Sequence, residues 1–289
     1  MAGRKTVRSR RLGRRLKALR ESAGISQEAL AATVSQGCAA QVRLTQSALS
    51  RVESGLARLG AEQLARIIRA VGADPAAAAG LEELRARADE RGWWQDWSHL
   101  ITELAEMATE LEEEAGTIRT YDAVFVQGLV QTEGYARTVI ESSRAFVRPH
   151  QVDTFVELRM RRQRRLAEPS FGTLTVVLTE ASLHHAVGGR LVMTAQLAKL
   201  CQIGEERRHA IHVLPYARGP WPGVASFALY GFPHPDDGEV GHVDGDLGAQ
   251  LYEDREPISA LNYMFHAALA QALPASESLD LIHTVMKEM

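Results

Sequence analysis

Polar side chains recur at helical spacing in the segment TQSALSRVESG, residues 45–55. Thr45 can cap a helix with its hydroxyl, and Leu49 and Val52, three positions apart, share one face. The remaining positions carry side chains that can hydrogen-bond: Gln46, Ser47, Ser50 and Arg51. A short helix with an apolar back and such a front suits the major groove of DNA, because these side chains can meet base edges.

A second amphipathic segment precedes it, SQEALAATVS at residues 26–35. Ser26 can cap this helix, and Leu30 and Val34 lie one turn apart on one face. The two segments predict a pair of helices. The second helix is expected to contact bases, and residues near the pair are expected to contact the DNA backbone. The side chains expected to contact phosphates are Arg14, Arg15, Gln27, Arg43 and Thr45.

SQEALA followed by TQSALSRVESG resembles the helix-turn-helix of the XRE (Cro/C1-type repressor) family. The resemblance implies that the first helix rests on the phosphate backbone and the second enters the major groove. One departure is an insertion of about eight residues, 35–42, between the helices. Either it is a loop between normally docked helices, or the first helix runs on before the chain turns back. Gly37 and the small residues after it favour the loop, because they interrupt the apolar period.

Charge is distributed unevenly along the 289 residues, although the net formal charge is only −3. Residues 1–75 hold 14 Lys and Arg against 5 Asp and Glu, and the remaining residues hold 19 against 31. We call residues 1–75 the head and the remaining residues the body. A basic head with this motif indicates a nucleic-acid-binding domain, followed by a body with a different function. The alternative is that the basic and acidic parts simply pair with each other.

The head is expected to be a small helical domain over residues 12–74. A basic arm over residues 1–11 either adds phosphate affinity or only increases solubility. Gly72 and Pro75 predict the end of the domain, because proline disfavours helix in the residue before it. The expected core contains Leu12, Leu16, Leu19, Leu30, Val34, Leu49, Val52, Leu64, Ile67, Ile68 and Val71.

Residues 75–97 are expected to form a charged linker helix that ends in a tryptophan-rich boundary. Trp93, Trp94 and Trp97 stand within five residues of one another. They form either an interaction surface or an anchor on the core of the body. The anchor is favoured, because tryptophan buries a large apolar area.

Residues 98–289 of the body are predicted to form an α+β domain with an antiparallel or mixed sheet. An acidic helix is expected over 98–115 and an arginine-rich helix over 153–166. The arginine cluster of the second helix binds nucleic acid or, as favoured here, faces the acidic helix or solvent. Strands are expected at 174–178, 210–215, 226–232 and 250–252, and an acidic loop at 233–246.

The body contains the segments IRTYDAVFVQGLVQTEGYAR, LRMRRQRRL, LTEASLHHAVGG and HVLPYARGPWPG. In order and spacing they resemble the domain of unknown function that follows an XRE helix-turn-helix in actinobacterial WhiJ-like regulators. The resemblance implies a cytoplasmic transcription regulator that is antitoxin-like and often paired with a small partner protein. It implies no established ligand or catalysis.

Catalytic and metal signatures are weak. The chain has no G-x-x-x-x-G-K, no H-E-x-x-H and no dinucleotide fingerprint. His234 and His242 flank carboxylates that form either a cation site or, as favoured, a solvated loop. Cys38 and Cys201 give neither a disulfide framework nor zinc spacing, which fits a reducing cytoplasm. We therefore assign no catalytic residue, metal or cofactor and expect no enzyme.

The sequence thus predicts a sequence-specific regulator that binds double-stranded DNA as a homodimer. Its second domain is expected to dimerise and to bind a small partner protein or a small-molecule effector. No apolar run approaches the ~20 residues that span a bilayer, so no membrane is expected. In the alternative, the inserted loop covers the reading helix. The protein would then be an interaction module, or an enzyme with a pocket within 209–246.

Overall fold

The computed structural model describes residues 6–143, 145, 147–218, 225–245 and 248–289. The chain forms two compact units. The N-terminal unit contains Met1–Ser98 together with His234–Gly238, and the second unit contains His99–Pro233 and Glu239–Met289. Residues 1–5 of the expected arm lie outside the described residues.

The N-terminal unit is helical. Thr6 caps the first helix by accepting a hydrogen bond from the Ser9 amide at 3.1 Å, and the Ser9 hydroxyl accepts one from the Thr6 amide at 3.0 Å. This reciprocal cap starts the helix at residue 7, so residues 7–11 are helical rather than part of an arm. The helices are α1 (Val7–Ser22), α2 (Gln27–Ser35), α3 (Gln46–Glu53), α4 (Ala61–Val71) and α5 (Pro75–Asp89).

The core of this unit contains every expected apolar residue, buried or packed against it. Leu81 and Leu84 of α5 are buried in the same core, so the expected boundary at residue 74 lies too early. Pro75 occupies the first turn of α5, where a helix needs no backbone N–H, and it therefore starts a helix within the domain.

The insertion after α2 is a loop, as favoured. The hydroxyl of Ser35 donates to the Leu44 carbonyl at 3.0 Å and accepts from the Leu44 amide at 2.9 Å, which closes the base of the loop. Val42 and Leu44 are buried and anchor its second half. The alternative, a longer α2, is wrong because the helix ends at Ser35.

The tryptophans belong to the N-terminal unit. Trp94 is buried, and the Arg8 guanidinium lies 5.6 Å from the centre of its ring. Trp93 packs edge to face on Trp94 and on Trp97, at 5.9 and 5.7 Å. Trp94 thus packs within the N-terminal unit, where Arg8 supplies a cation–π contact.

The second unit is an α+β domain with a mixed sheet in the order β3-β2-β1-β4-β5-β6. β1, β2 and β3 are parallel neighbours, whereas β4, β5 and β6 add antiparallel pairs on the other side of β1. The strands are β1 (Thr117–Asp122), β2 (Thr173–Thr179), β3 (His209–Leu214), β4 (Phe227–Gly231), β5 (Glu239–Val243) and β6 (Gln250–Tyr252). The helices are α6 (Glu103–Glu114), α7 (Glu133–Ser142), α8 (Val152–Gln163), α9 (Glu180–His184), α10 (Arg190–Glu205), α11 (Arg255–Gln271) and α12 (Ala275–Glu288).

Two of these strands differ from the sequence expectation. β1 was not expected, and β5 lies where an acidic loop was expected, at 233–246. β5 is held by strand pairing on both edges, with β4 and with β6. Its short, glycine-containing sequence EVGHV has little strand propensity of its own, so the neighbours decide its structure.

The arginine-rich helix α8 faces the acidic helix α6, as favoured. Arg162 donates from Nε and Nη2 to the two carboxylate oxygens of Glu112, at 2.6 and 2.5 Å. Arg165, just after α8, donates to the Ala115 carbonyl at 2.9 Å. The cluster thus joins two elements of the second unit.

Candidate nucleic-acid interface

Helix α3 is held by its cap and by its apolar face. The Thr45 hydroxyl accepts from the Ala48 amide at 3.1 Å, and Leu49 and Val52 are buried in the head core. Because one face is fixed inward, the other faces outward. On that outer side Gln46, Ser47 and Arg51 are exposed and Ser50 is half-buried.

The inserted loop leaves these side chains accessible. It is tied to α4, because Gln63 donates to the Val42 carbonyl at 3.3 Å and Arg66 donates to the Gln36 carbonyl at 3.1 Å. Gln46, Ser47 and Arg51 remain exposed beside it. The loop therefore does not cover the outer face of α3.

A hydrogen-bond chain links α1, α2 and α3. Gln46 donates to the Gln27 amide oxygen at 2.8 Å, and Gln27 donates to Glu53 at 2.7 Å. Arg20 pairs with both oxygens of the buried Glu53, at 2.7 and 3.0 Å. Gln27, which was expected at a phosphate, instead orients Gln46, because both ends of its amide are already engaged.

The remaining phosphate candidates differ in exposure. Arg43 and Thr45 are exposed at the N-terminal end of α3, where the helix dipole also favours an anion. Arg14 is half-buried. Arg15 is buried and pairs with Asp237 at 2.5 and 2.7 Å, so the expectation that it contacts phosphate is wrong.

Asp237 is fully buried between two guanidinium groups of α1. Arg11 and Arg15 both donate to its carboxylate. Burial alone would raise the pKa of this carboxyl, but these hydrogen bonds and charges outweigh burial and hold the pKa below its usual value. The two arginines therefore stabilise the head rather than contact DNA.

Two family models match the chain. A helix-turn-helix domain model matches residues 11–81, and the model described as a domain of unknown function (DUF5753) matches residues 105–284, more than half of the chain. The chain belongs to the DUF5753 family. The DUF5753 match takes in all the strands β1 to β6, and the helix-turn-helix match takes in α2, α3 and α4. No curated protein and no solved structure matched the chain.

No group of three His, Cys, Asp or Glu residues in the described ranges is placed to hold a metal ion. His242 instead lies 3.7 Å from Asp244, and His234 lies 3.9 Å from Asp236. The helices described here include none long and apolar enough to cross a bilayer.

Proposed function

We propose that the protein is a sequence-specific transcription regulator that reads DNA with α3 in the major groove. The observation that carries this proposal is the exposed polar face of α3, with Gln46 and Arg51 outward and Leu49 and Val52 in the core. Gln27 further supports it, because it orients the Gln46 amide. In this role Gln46, Ser47, Ser50 and Arg51 contact bases, and Arg43 and Thr45 contact phosphates.

The finer assignment follows the resemblances in the sequence. The head works as an XRE-type helix-turn-helix, and the DUF5753 domain has the signal-receiving, antitoxin-like role that the WhiJ-like resemblance implies. The regulator acts in the cytoplasm as a homodimer on a palindrome, because one α3 contacts only a few base pairs. A small partner protein or a small-molecule effector supplies the signal. The proposal assigns no catalytic step.

The alternative, a former regulator that no longer reads DNA, is less well supported. It required the inserted loop to lie over α3, whereas the loop is hydrogen-bonded to α4. The outer side chains of α3 are exposed.

The test is binding of the full-length protein to DNA from its own upstream region, with random-sequence competitor and a salt titration. A regulator is expected to resist competitor and to lose affinity steeply with salt, since phosphate contacts release counterions. Weak binding that the competitor abolishes would contradict the proposal.

Arg51→Ala separates base reading from general charge. We expect it to weaken operator binding by ~1–3 kcal/mol and to reduce the preference for operator over random DNA. Arg91→Ala is the matched control, because Arg91 is 70% exposed, pairs with Asp96 and lies outside the helix-turn-helix match. Equal operator affinities for the two variants would contradict the docking of α3.

A further inference from the structure

The second unit contains a cavity of about 970 Å³ between one face of the sheet and the helices α6 and α8. Strands β1, β4 and β5 form its floor. Its volume is that of a site for a small organic molecule. The opposite face of the sheet packs on α11 through an apolar cluster that includes Tyr121, Phe227 and Phe265.

The floor of the cavity is polar. Thr120, Ala228 and His242 are direct partners across β1, β4 and β5, so they lie in one row on the same face. Asp122 lies two positions beyond Thr120 and Tyr230 two beyond Ala228, and both also line the cavity. Small Ala228 leaves space in the middle of this row. A polar sheet face under helices is costly unless its groups are satisfied. The Thr120 hydroxyl donates to the Asp122 carboxylate at 2.7 Å, and His242 and Tyr230 also line the cavity.

Arg159 of α8 brings a positive charge to this cavity. Its guanidinium donates to the Gln131 amide oxygen at 2.7 Å, and no described carboxylate lies within 4.0 Å of it. Gln131 is buried and donates in turn to the Val126 carbonyl at 2.7 Å, which fixes the direction of Arg159. Burial, with the nearby Arg162, lowers the pKa of Arg159 to about 10, so the group stays charged at neutral pH.

Most of the other titratable groups that line the cavity do not offset this charge. Arg162 is neutralised by its two hydrogen bonds with Glu112. Burial raises the pKa of Asp122 to about 8 and lowers that of His242, so both are mainly neutral at pH 7. Asp244 also lines the cavity and its carboxylate attracts the Arg159 charge, but it is largely exposed, so solvent screens this attraction.

Burial also raises the pKa of Tyr230, so its phenol keeps its proton. The protonated Asp122 and the phenol can therefore donate hydrogen bonds. Among the described groups that line the cavity, Arg159 is thus a cation without a carboxylate partner, and neutral donors lie beside it.

Part of the cavity wall is apolar. This part is contributed by α6, by the segment after β1 and by α7, and its apolar side chains are Leu104, Val124, Phe125, Val126 and Val139. One end of a ligand therefore meets a guanidinium and neutral donors, and the rest meets hydrocarbon.

We propose that this cavity binds a small organic acid, with its carboxylate on Arg159 and its apolar body along α6 and the segment after β1. A guanidinium held only by a neutral amide can pair with a monoanion, and its planar shape matches a carboxylate. This deepens the signal-receiving role proposed above by naming the chemistry of the effector. Binding is measured without DNA, so a failure here is distinct from a failure of DNA reading.

The experiment titrates the full-length protein with phenylacetate, indole-3-acetate and octanoate, using calorimetry and ligand-detected NMR. The corresponding amides serve as neutral analogues, and phenylphosphonate serves as a dianion. At least one acid is expected to bind saturably at concentrations up to about 10 mM and its amide at least about 30-fold more weakly, because the amide leaves the guanidinium without an anion.

Arg159→Gln is expected to weaken acid binding by about 30-fold or more, whereas Arg159→Lys retains part of it. Arg164→Gln is the matched control, because Arg164 follows directly after α8, is exposed and does not line the cavity. Unchanged binding in a folded Arg159→Gln, equal binding of acid and amide, tighter binding of phenylphosphonate, or no saturable binding of any acid would each overturn the proposal.

Discussion

Among the described residues, arginines have at least three distinct roles, and the surroundings of each guanidinium decide which one. Arg15 and Arg20 are buried and compensated by Asp237 and Glu53, so they hold helices together. Arg51 is exposed on α3, where it can reach DNA. Arg159 is held by a neutral amide beside a cavity and keeps a charge that a ligand can use. Residue type alone does not separate these roles, because the partner of each guanidinium comes from a distant part of the chain.

Asp122 predicts a measurable pH dependence of stability. Burial raises its pKa to about 8; the hydrogen bond from Thr120 opposes this shift and Asp244 adds to it. Because the folded pKa lies above the ordinary value of 3.8, the contribution to stability is complete below about pH 4. It then falls by about 1.4 kcal/mol per pH unit until the pH passes the folded pKa.

Asp122→Asn should remove this slope, so the variant gains stability over the wild type as the pH rises from 5 to 8, because over this range the folded protein still holds the proton that the unfolded chain has released. Urea unfolding at several pH values measures the difference. Asp280→Asn, an exposed change on α12, is the control and should follow the wild type. Parallel pH profiles for wild type and Asp122→Asn would show that Asp122 is not held neutral.

At the scale of elements, the head depends on a close approach of α1 to the end of α3. A methyl group placed on Gly13 of α1 would lie 2.5 Å from the Val52 carbonyl oxygen and closer still to that of Glu53. Both obstacles are backbone atoms, which cannot rotate away. Glycine is therefore required at this position for packing, although alanine has the higher helix propensity.

Gly13→Ala should destabilise the protein by about 1–3 kcal/mol, because α1 must move away from α3. The matched control is Gly134→Ala in α7, where the nearest atom would lie at an ordinary 3.7 Å. That change should be neutral or stabilising by up to about 1 kcal/mol, since alanine favours helix. Denaturant unfolding measures both, and equal midpoints would contradict the close approach of α1 to α3.

At the scale of the molecule, the chain passes from one unit to the other more than once. The segment His234–Gly238 clusters with the N-terminal unit, and in sequence it connects β4 to β5. Tyr230 of β4 and His242 of β5 line the proposed acid site. A ligand that contacts β4 and β5 therefore contacts the two strands that flank this segment of the N-terminal unit. The peptide chain itself then connects the ligand site to the helix-turn-helix unit.

The whole-molecule prediction is reciprocal linkage. An acid that binds the cavity should change operator affinity about 5- to 150-fold, and operator DNA should change acid affinity by the same factor. Fluorescence anisotropy with and without saturating acid, and calorimetry with and without operator, measure the two factors. Arg159→Gln should lose the effect, whereas Arg164→Gln should keep it. An acid that binds without altering operator affinity would show that the cavity is not a regulatory site.

The sequence by itself determined the features that depend on local rules. Caps such as Ser26 and Thr45, and the apolar period of α4, predict helices because they act within one or two turns. The polar face of α3 followed from the same periodicity. The pairing of the arginine-rich and acidic helices could also be anticipated, because opposite charges were abundant in both segments.

Tertiary structure decided what depends on distant partners. Strand β5 forms because β4 and β6 pair with it. Arg15 is not available to contact DNA, because Asp237, over two hundred residues away in the sequence, pairs with it. The cavity was likewise hidden, because its row of Thr120, Ala228 and His242 comes from three separate strands. Local propensity carries no information about such pairings, since their energy comes from contacts that exist only once the chain has folded.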